Sequence, residues 1–207
     1  MKYTLILFIS FFSLSGFASN SLDSVALEND YVKVIRHSFV NFSGDNSIYS
    51  TRIIVALSDT KIDCNRLSKT LKRGEVAVYK STEKYSVIDG DFFEVLIKAN
   101  HPEVKSPEKW IEPLKNKTVY ENDQLRIFEE RLEPGDTREL HSHAQRVVVR
   151  LNEVQLTDPR FHPNGTPRGG IQVPNTVKFA EPMTHVVKNL SEIPLFNIII
   201  EFKTQRI

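Results

Sequence analysis

The sequence predicts an all-β protein built from two tandem copies of one barrel. Two observations carry that expectation. Short runs rich in Val, Ile, Phe and Tyr alternate with turn signals such as Asn-Asp, Pro-Gly-Asp, Pro-Asn-Gly and Arg-Gly-Gly, and no stretch sustains helical periodicity. The order of those runs also repeats. Leu27-Glu28-Asn29-Asp30-Tyr31-Val32-Lys33-Val34-Ile35 parallels Tyr120-Glu121-Asn122-Asp123-Gln124-Leu125-Arg126-Ile127-Phe128, and Arg52–Leu57 parallels Arg146–Leu151. Arg73–Val78 then parallels Arg168–Val173, and Phe93–Lys98 parallels Phe196–Glu201. Many short strands at regular spacing favour a barrel or sandwich, whose edges are closed or covered.

Residues 1–19 read as a secretory signal peptide. Lys2 gives a positive start, Thr4 to Phe17 is an apolar core, and Gly16-Phe17-Ala18 offers small residues to a signal peptidase. The competing reading is a membrane anchor, but the run is short for a bilayer span and serines interrupt it. The mature chain is expected to start near Ser19 or Asn20, with a periplasmic or secreted destination and no membrane attachment after cleavage. The 207 residues carry a net charge of +1 with 26% charged residues, and no long basic run. That balance offers no field for nucleic acid or an anionic membrane. Partners are expected to be a small-molecule ligand or substrate, with a homodimer left open. Cys64 is the only cysteine, so an internal disulfide is excluded; it reads as a small buried residue in a strand around Lys61 to Asn65.

Residues 20–100 form the first expected barrel. Residues 101–116 form a connector containing Pro102, Pro107 and Pro113. Trp110 and Ile111 within it predict that it packs along a barrel wall, with a short helical turn near Pro107 to Ile111. Residues 117–207 form the second barrel, which carries the chemistry. In it His141-Ser142-His143 follows Gly135 with five residues between, and His185 lies downstream with Asn189 four residues on. Residues two apart on a strand share a face, so His141 and His143 project into one cavity, and His185 has to reach it from a distant strand. Three imidazoles meeting there can hold a divalent transition metal. The bland alternative for the pair alone is two solvated side chains on an exposed strand.

These residues resemble the cupin superfamily, a small jelly-roll β-barrel. Its first motif runs Gly, five residues, His-x-His, three or four residues, Glu; Gly135, His141 and His143 fit it. Its second motif ends in His, three residues, Asn, which His185 and Asn189 fit. With Tyr120-Glu121-Asn122-Asp123 ahead of them, they make the C-terminal half similar to small quercetin-dioxygenase-like cupins. The resemblance implies a bicupin with His141, His143 and His185 as metal ligands. The usual glutamate falls at Val147 or Val148, which cannot bind metal, and Glu181-Pro182-Met183-Thr184 replaces the usual proline-glycine turn before the last histidine. In the first copy the pair aligns with Ser47-Ile48-Tyr49-Ser50, and Tyr85 aligns with His185, so that half reads as a degenerate barrel without metal ligands, with a packing role; the alternative is a barrel that holds an organic ligand in its cavity.

Imidazole ligands suit Fe, Zn, Mn, Ni or Cu without choosing among them. Three neutral ligands leave the ion's double charge uncompensated, which favours an anionic or chelating substrate. Glu139, two residues before His141, is a candidate fourth ligand or general base if the strand is regular, and a rim residue if the chain bends. Gln172 and Glu181 are weaker candidates. His162 reads as a solvated loop residue, His37 and His101 show no metal spacing, and Arg146 and Arg150 read as a solvent face, with the alternative that they line the cavity and hold a carboxylate substrate. Three functions stay open: a metal-dependent, dioxygenase-like enzyme acting on a small anion, a non-catalytic module binding a small ligand, and a structural bicupin. Fold membership does not choose among them.

Overall fold

The computed structural model describes residues 23–38, 42–43, 48–113 and 116–203. The expected leader over 1–19 and its junction lie outside them. Among the described residues the regular structure is strand throughout, with no helix; the turn expected near Pro107 to Ile111 is irregular chain with a bend.

The first barrel contains β1 (Ser24–Glu28), β2 (Val32–Ser38), β3 (Phe42–Ser43), β4 (Tyr49–Ala56), β5 (Thr60–Cys64), β6 (Leu67–Leu71), β7 (Val76–Lys80), β8 (Tyr85–Asp89) and β9 (Asp91–Lys98). The second contains β10 (Lys117–Glu121), β11 (Leu125–Leu132), β12 (Thr137–His143), β13 (Arg146–Arg150), β14 (Leu156–Thr157), β15 (Thr176–Ala180), β16 (Met183–Asn189) and β17 (Leu195–Phe202). Each barrel sets a five-stranded sheet, β1-β2-β9-β4-β7 or β10-β11-β17-β13-β15, against a smaller one, β3-β8-β5-β6 or β12-β16-β14. All pairings are antiparallel.

The repeat is thus structural, but two of its four sequence matches are out of register. Ile53 pairs with Val78 and Val95, and Val147 with Phe179 and Ile200. Val78 therefore corresponds to Phe179 rather than Val173, and Val95 to Ile200 rather than Ile198. Arg168-Gly169-Gly170 belongs instead to a long loop between β14 and β15, one residue of which, Gln172, bridges back to Val154.

The two five-stranded sheets share one apolar core. Ile53, Val55, Val95 and Ile97 of the first pack in a single cluster with Ile127, Val147, Ile198 and Ile200 of the second. The opposite faces look into their own barrels: Ile54, Ala56 and Phe92 with Tyr85 and Val87 in the first, and Phe128, Val148 and Ile199 in the second. A sheet covered on both faces needs continuous apolar runs, which is why Ile53-Ile54-Val55-Ala56 and Val147-Val148-Val149 lack alternation. Arg73 joins the barrels by donating to the carbonyl oxygens of Leu57 and Leu151 and, at 2.7 Å, to Asn175 Oδ1.

The connector runs beside the site-bearing strand. The Ile111 amide donates to Ser142 Oγ (3.1 Å), the Ser142 amide donates to the Ile111 carbonyl (2.9 Å), and Gln145 Oε1 accepts from the Lys105 amide (2.9 Å). Cys64 ends β5 as expected but is only half buried.

Candidate metal centre

A turn launches β12. Gly135 supplies its left-handed residue (φ 76°), and Asn189 clamps it: the Gly135 amide donates to the Asn189 carbonyl (3.1 Å), and the Asn189 side-chain amide donates to the carbonyls of Leu132 (3.1 Å) and Ile193 (2.8 Å). The asparagine four residues after His185 is therefore a structural fastener. β12 then pairs with β16, and His141 lies directly opposite His185.

His141, His143 and His185 come together. All three are buried, each offers a ring nitrogen within 4.8 Å of the others, and the ring centroids lie 4.5–5.4 Å apart. His141 Nδ1 donates to the Glu139 carbonyl (2.7 Å) and His143 Nδ1 faces Glu201 Oε1 (3.1 Å). The Nε2 atoms of His141 and His185 are buried with no hydrogen-bond partner. Burial depresses all three imidazoles, His143 to about 3 and His185 to about 2. Neutral rings with bare nitrogens turned toward one another are the donor set a divalent transition metal requires, so these residues fit such an ion.

Glu139 does not join them. The register between β12 and β16 slips by one residue between Arg138 and His141, and this bulge leaves Glu139 exposed while Arg138 takes the inward place before it. What Glu139 contributes is its carbonyl, which fixes the His141 tautomer.

His143 and His185 open onto a cavity of about 370 Å³ inside the second barrel. Arg146, Arg150, Arg168 and Lys178 line it, so the expectation of a solvent face for Arg146 and Arg150 is corrected: both follow the inward phase of β13 with Val148. Arg146 donates to the carbonyls of Ala144 and Glu181 (both 3.1 Å), whereas Arg150 Nε is buried with no partner. Burial and the neighbouring Arg150 and Arg146 lower Lys178.

Glu130, also on the wall, is the cavity's acid and was not anticipated. Burial would raise it, but His143, Arg138 (Nη1 at 3.8 Å), Arg146 and the Asn197 amide (2.9 Å) hold it below the usual carboxylate range. Glu201, behind His143, is instead pushed up to about 7 by burial. Gln172 lines the cavity and donates to Asn197 Oδ1 (2.8 Å); Glu181 accepts from Gln145 (3.0 Å). His162 sits in a loop turn beside the Thr166 hydroxyl, as expected.

Two tandem jelly-roll barrels, one holding three converging imidazoles at a basic cavity, define the class of scaffold. No family model matches the sequence, and no curated protein does. Similar solved structures include a cupin 2 conserved barrel domain protein from Leptotrichia buccalis (13% identity, TM-score 0.58, covering 89% of this chain and 90% of that one). AerE from Microcystis aeruginosa is another (12%, 0.55, 87% and 91%). A third is oxalate decarboxylase from Bacillus subtilis, described with Mn(II) centres (11%, 0.51, 86% and 70%). The chain has the cupin fold, in its two-barrel form.

Proposed function

We propose that this is an exported, metal-dependent bicupin whose second barrel binds a divalent first-row transition metal through His141, His143 and His185 and acts on a small anionic substrate. The observation that carries the proposal is the pair of buried, unpartnered imidazole nitrogens, His141 Nε2 and His185 Nε2, within a three-histidine cluster beside a cation-lined cavity. An ion held there would supply Lewis acidity to a coordinated substrate oxygen. The chain's own residues do the rest. Arg150 and Lys178 draw in a carboxylate and Arg146 helps set its orientation. Glu130, held ionised, accepts a proton from the substrate. The quercetin-dioxygenase-like motifs of the C-terminal half and the Mn(II) centres of the oxalate decarboxylase support metal chemistry on this scaffold. Export is supported by the pattern of residues 1–19.

The missing carboxylate ligand favours a second reading, capture of the same anion without turnover. Elemental analysis of protein purified without chelators tests the metal. The wild type should carry about one first-row ion per chain, and His141→Ala and His185→Ala should each lose it. Wild type free of metal would overturn the proposal. Turnover of small carboxylates by the loaded wild type, with and without oxygen, then separates an enzyme from a binding module.

A further inference from the structure

We propose that the first barrel is a second binding site, holding a small monocarboxylate with an apolar body on the buried guanidinium of Arg52. This reading does not depend on the metal centre.

Arg52 is 1% exposed, and its Nε, Nη1 and Nη2 atoms are all buried with no hydrogen-bond partner. It shares the inward phase of β4 with Ile54 and Ala56, which pack inside the first barrel. By strand register Arg52 is the counterpart of Arg146. Arg146 finds two carbonyl acceptors in its barrel; Arg52 finds no carbonyl or carboxylate among the described residues, and its one polar neighbour is the Tyr85 hydroxyl. An uncompensated buried cation costs several kcal/mol, far more than an unused surface group.

The acids nearby are committed elsewhere. Glu94 accepts from the Tyr85 hydroxyl and meets His37 Nε2 at 3.3 Å, while His37 Nδ1 meets Asp23 at 2.9 Å. No ion pair within 4 Å joins Arg52 to an acid among the described residues. The Arg52 side chain reaches the Tyr85 hydroxyl, whose own proton goes to Glu94, so the guanidinium lies beside this Asp23–His37–Glu94–Tyr85 chain and leaves its fork open on the other side.

The chemistry of the ligand follows from what surrounds the fork. One guanidinium offers one positive charge and a planar pair of donors, which match a single carboxylate. The positions of Arg150 and Lys178 in the second barrel are occupied here by Ala56 and Ala77. A second anionic group would therefore find no partner. Ile54, Val87 and Phe92 on the same inner surface suit an apolar body. The two barrels thus differ in ligand: a basic cavity beside imidazoles in one, a single fork between apolar walls and the Tyr85–Glu94 pair in the other.

Thermal-shift titration of the mature full-length chain tests this, with butyrate, benzoate and inorganic phosphate as probes. Butyrate or benzoate should raise the melting temperature of the wild type. Because the basic cavity also draws carboxylates, the comparison is made in Arg150→Met, which disables it: each should still raise that variant's melting temperature and have no effect once Arg52→Met is added to it. Arg52→Lys keeps the charge but loses the fork, and should bind the carboxylate at least ~10-fold more weakly. Without ligand, Arg52→Met should be no less stable than the wild type, because it removes an unpaired buried charge. The proposal fails if adding Arg52→Met to Arg150→Met leaves the carboxylate shift unchanged, if no carboxylate gives a shift or only phosphate does, or if Arg52→Met is destabilised or unfolded.

Discussion

Glu201 stands behind His143 and decides which of its nitrogens is free. Its Oε1 lies 3.1 Å from His143 Nδ1 and also accepts the Ala144 amide at 3.0 Å, so the ring is tethered to a carboxylate that is itself tethered to the backbone. Such outer partners fix the tautomer and orientation of a ligand imidazole, and losing one typically costs 10–100-fold in metal affinity. Glu201→Gln is therefore expected to keep the fold and weaken metal binding by about 10–100-fold, read by competition with a chelator of known affinity. An unchanged affinity would mean that packing alone orients His143. The sequence disclosed the three histidines because spacing two apart on a strand is a strong geometric statement. It hid Glu130, Arg138 and Lys178, since a charged residue in a β-run looks the same whether it faces water or a polar cavity.

At the scale of elements, the loop after β14 is pinned to the strand that carries His185. Asp158 Oδ1 accepts from the Arg160 amide (3.1 Å) and Nε (3.0 Å), and Oδ2 accepts from Arg160 Nη2 (2.6 Å) and from the Val186 amide (3.4 Å). The Arg160 guanidinium holds the carboxyl down at about 2, from an ordinary 3.8. A depressed carboxyl gives stability that is complete above the unfolded value and fades as the pH falls through the folded one. Asp158→Asn should thus cost about 1–2 kcal/mol at pH 7, less than the full linkage value because the Arg160 end is partly open to water. That penalty should shrink as the pH drops from about 4 toward about 2, measured as the gap between urea midpoints of the two proteins. A gap constant with pH would show that geometry, not charge, makes the contribution. Elements are also where sequence reading lost the register. The bulge at Glu139 adds one residue and puts it on the rim, as the bent-chain alternative had it, rather than inward as a regular strand would; nothing in Arg138-Glu139-Leu140 marks where the slip falls. The match of Phe93–Lys98 drifted for a related reason: strands of similar composition align equally well two residues apart, and only pairing partners settle the phase; that of Arg73–Val78 fell on a loop, Arg168–Val173, whose Arg-Gly start imitates the turn before β7.

At the scale of the whole molecule, the outer face of each large sheet is the other's partner. The shared cluster draws Ile53, Val55 and Val95 from one barrel and Val147, Ile198 and Ile200 from the other, all fully buried. Separating the barrels would expose that core to water, at a cost of roughly 25 cal/mol for each Å² of apolar surface. Gly74 shows how closely they meet: a Cβ there would run into the Phe196 ring of the second barrel. The barrels are therefore expected to unfold as one unit, although their interiors serve different ends. Trp110, the only tryptophan, lies in the connector held against Ser142 and Gln145, so its fluorescence reports on the second barrel and its strap. Ile53→Ala, made in the first barrel, removes buried methyl groups from the shared core and should cost about 2–5 kcal/mol. Because the core is common, the urea midpoint read at Trp110 should fall by the same amount as that read by circular dichroism over the whole chain. Were Trp110 to keep its wild-type midpoint while circular dichroism shifted, the barrels would be independent folding units and their contact a mere docking of two finished domains.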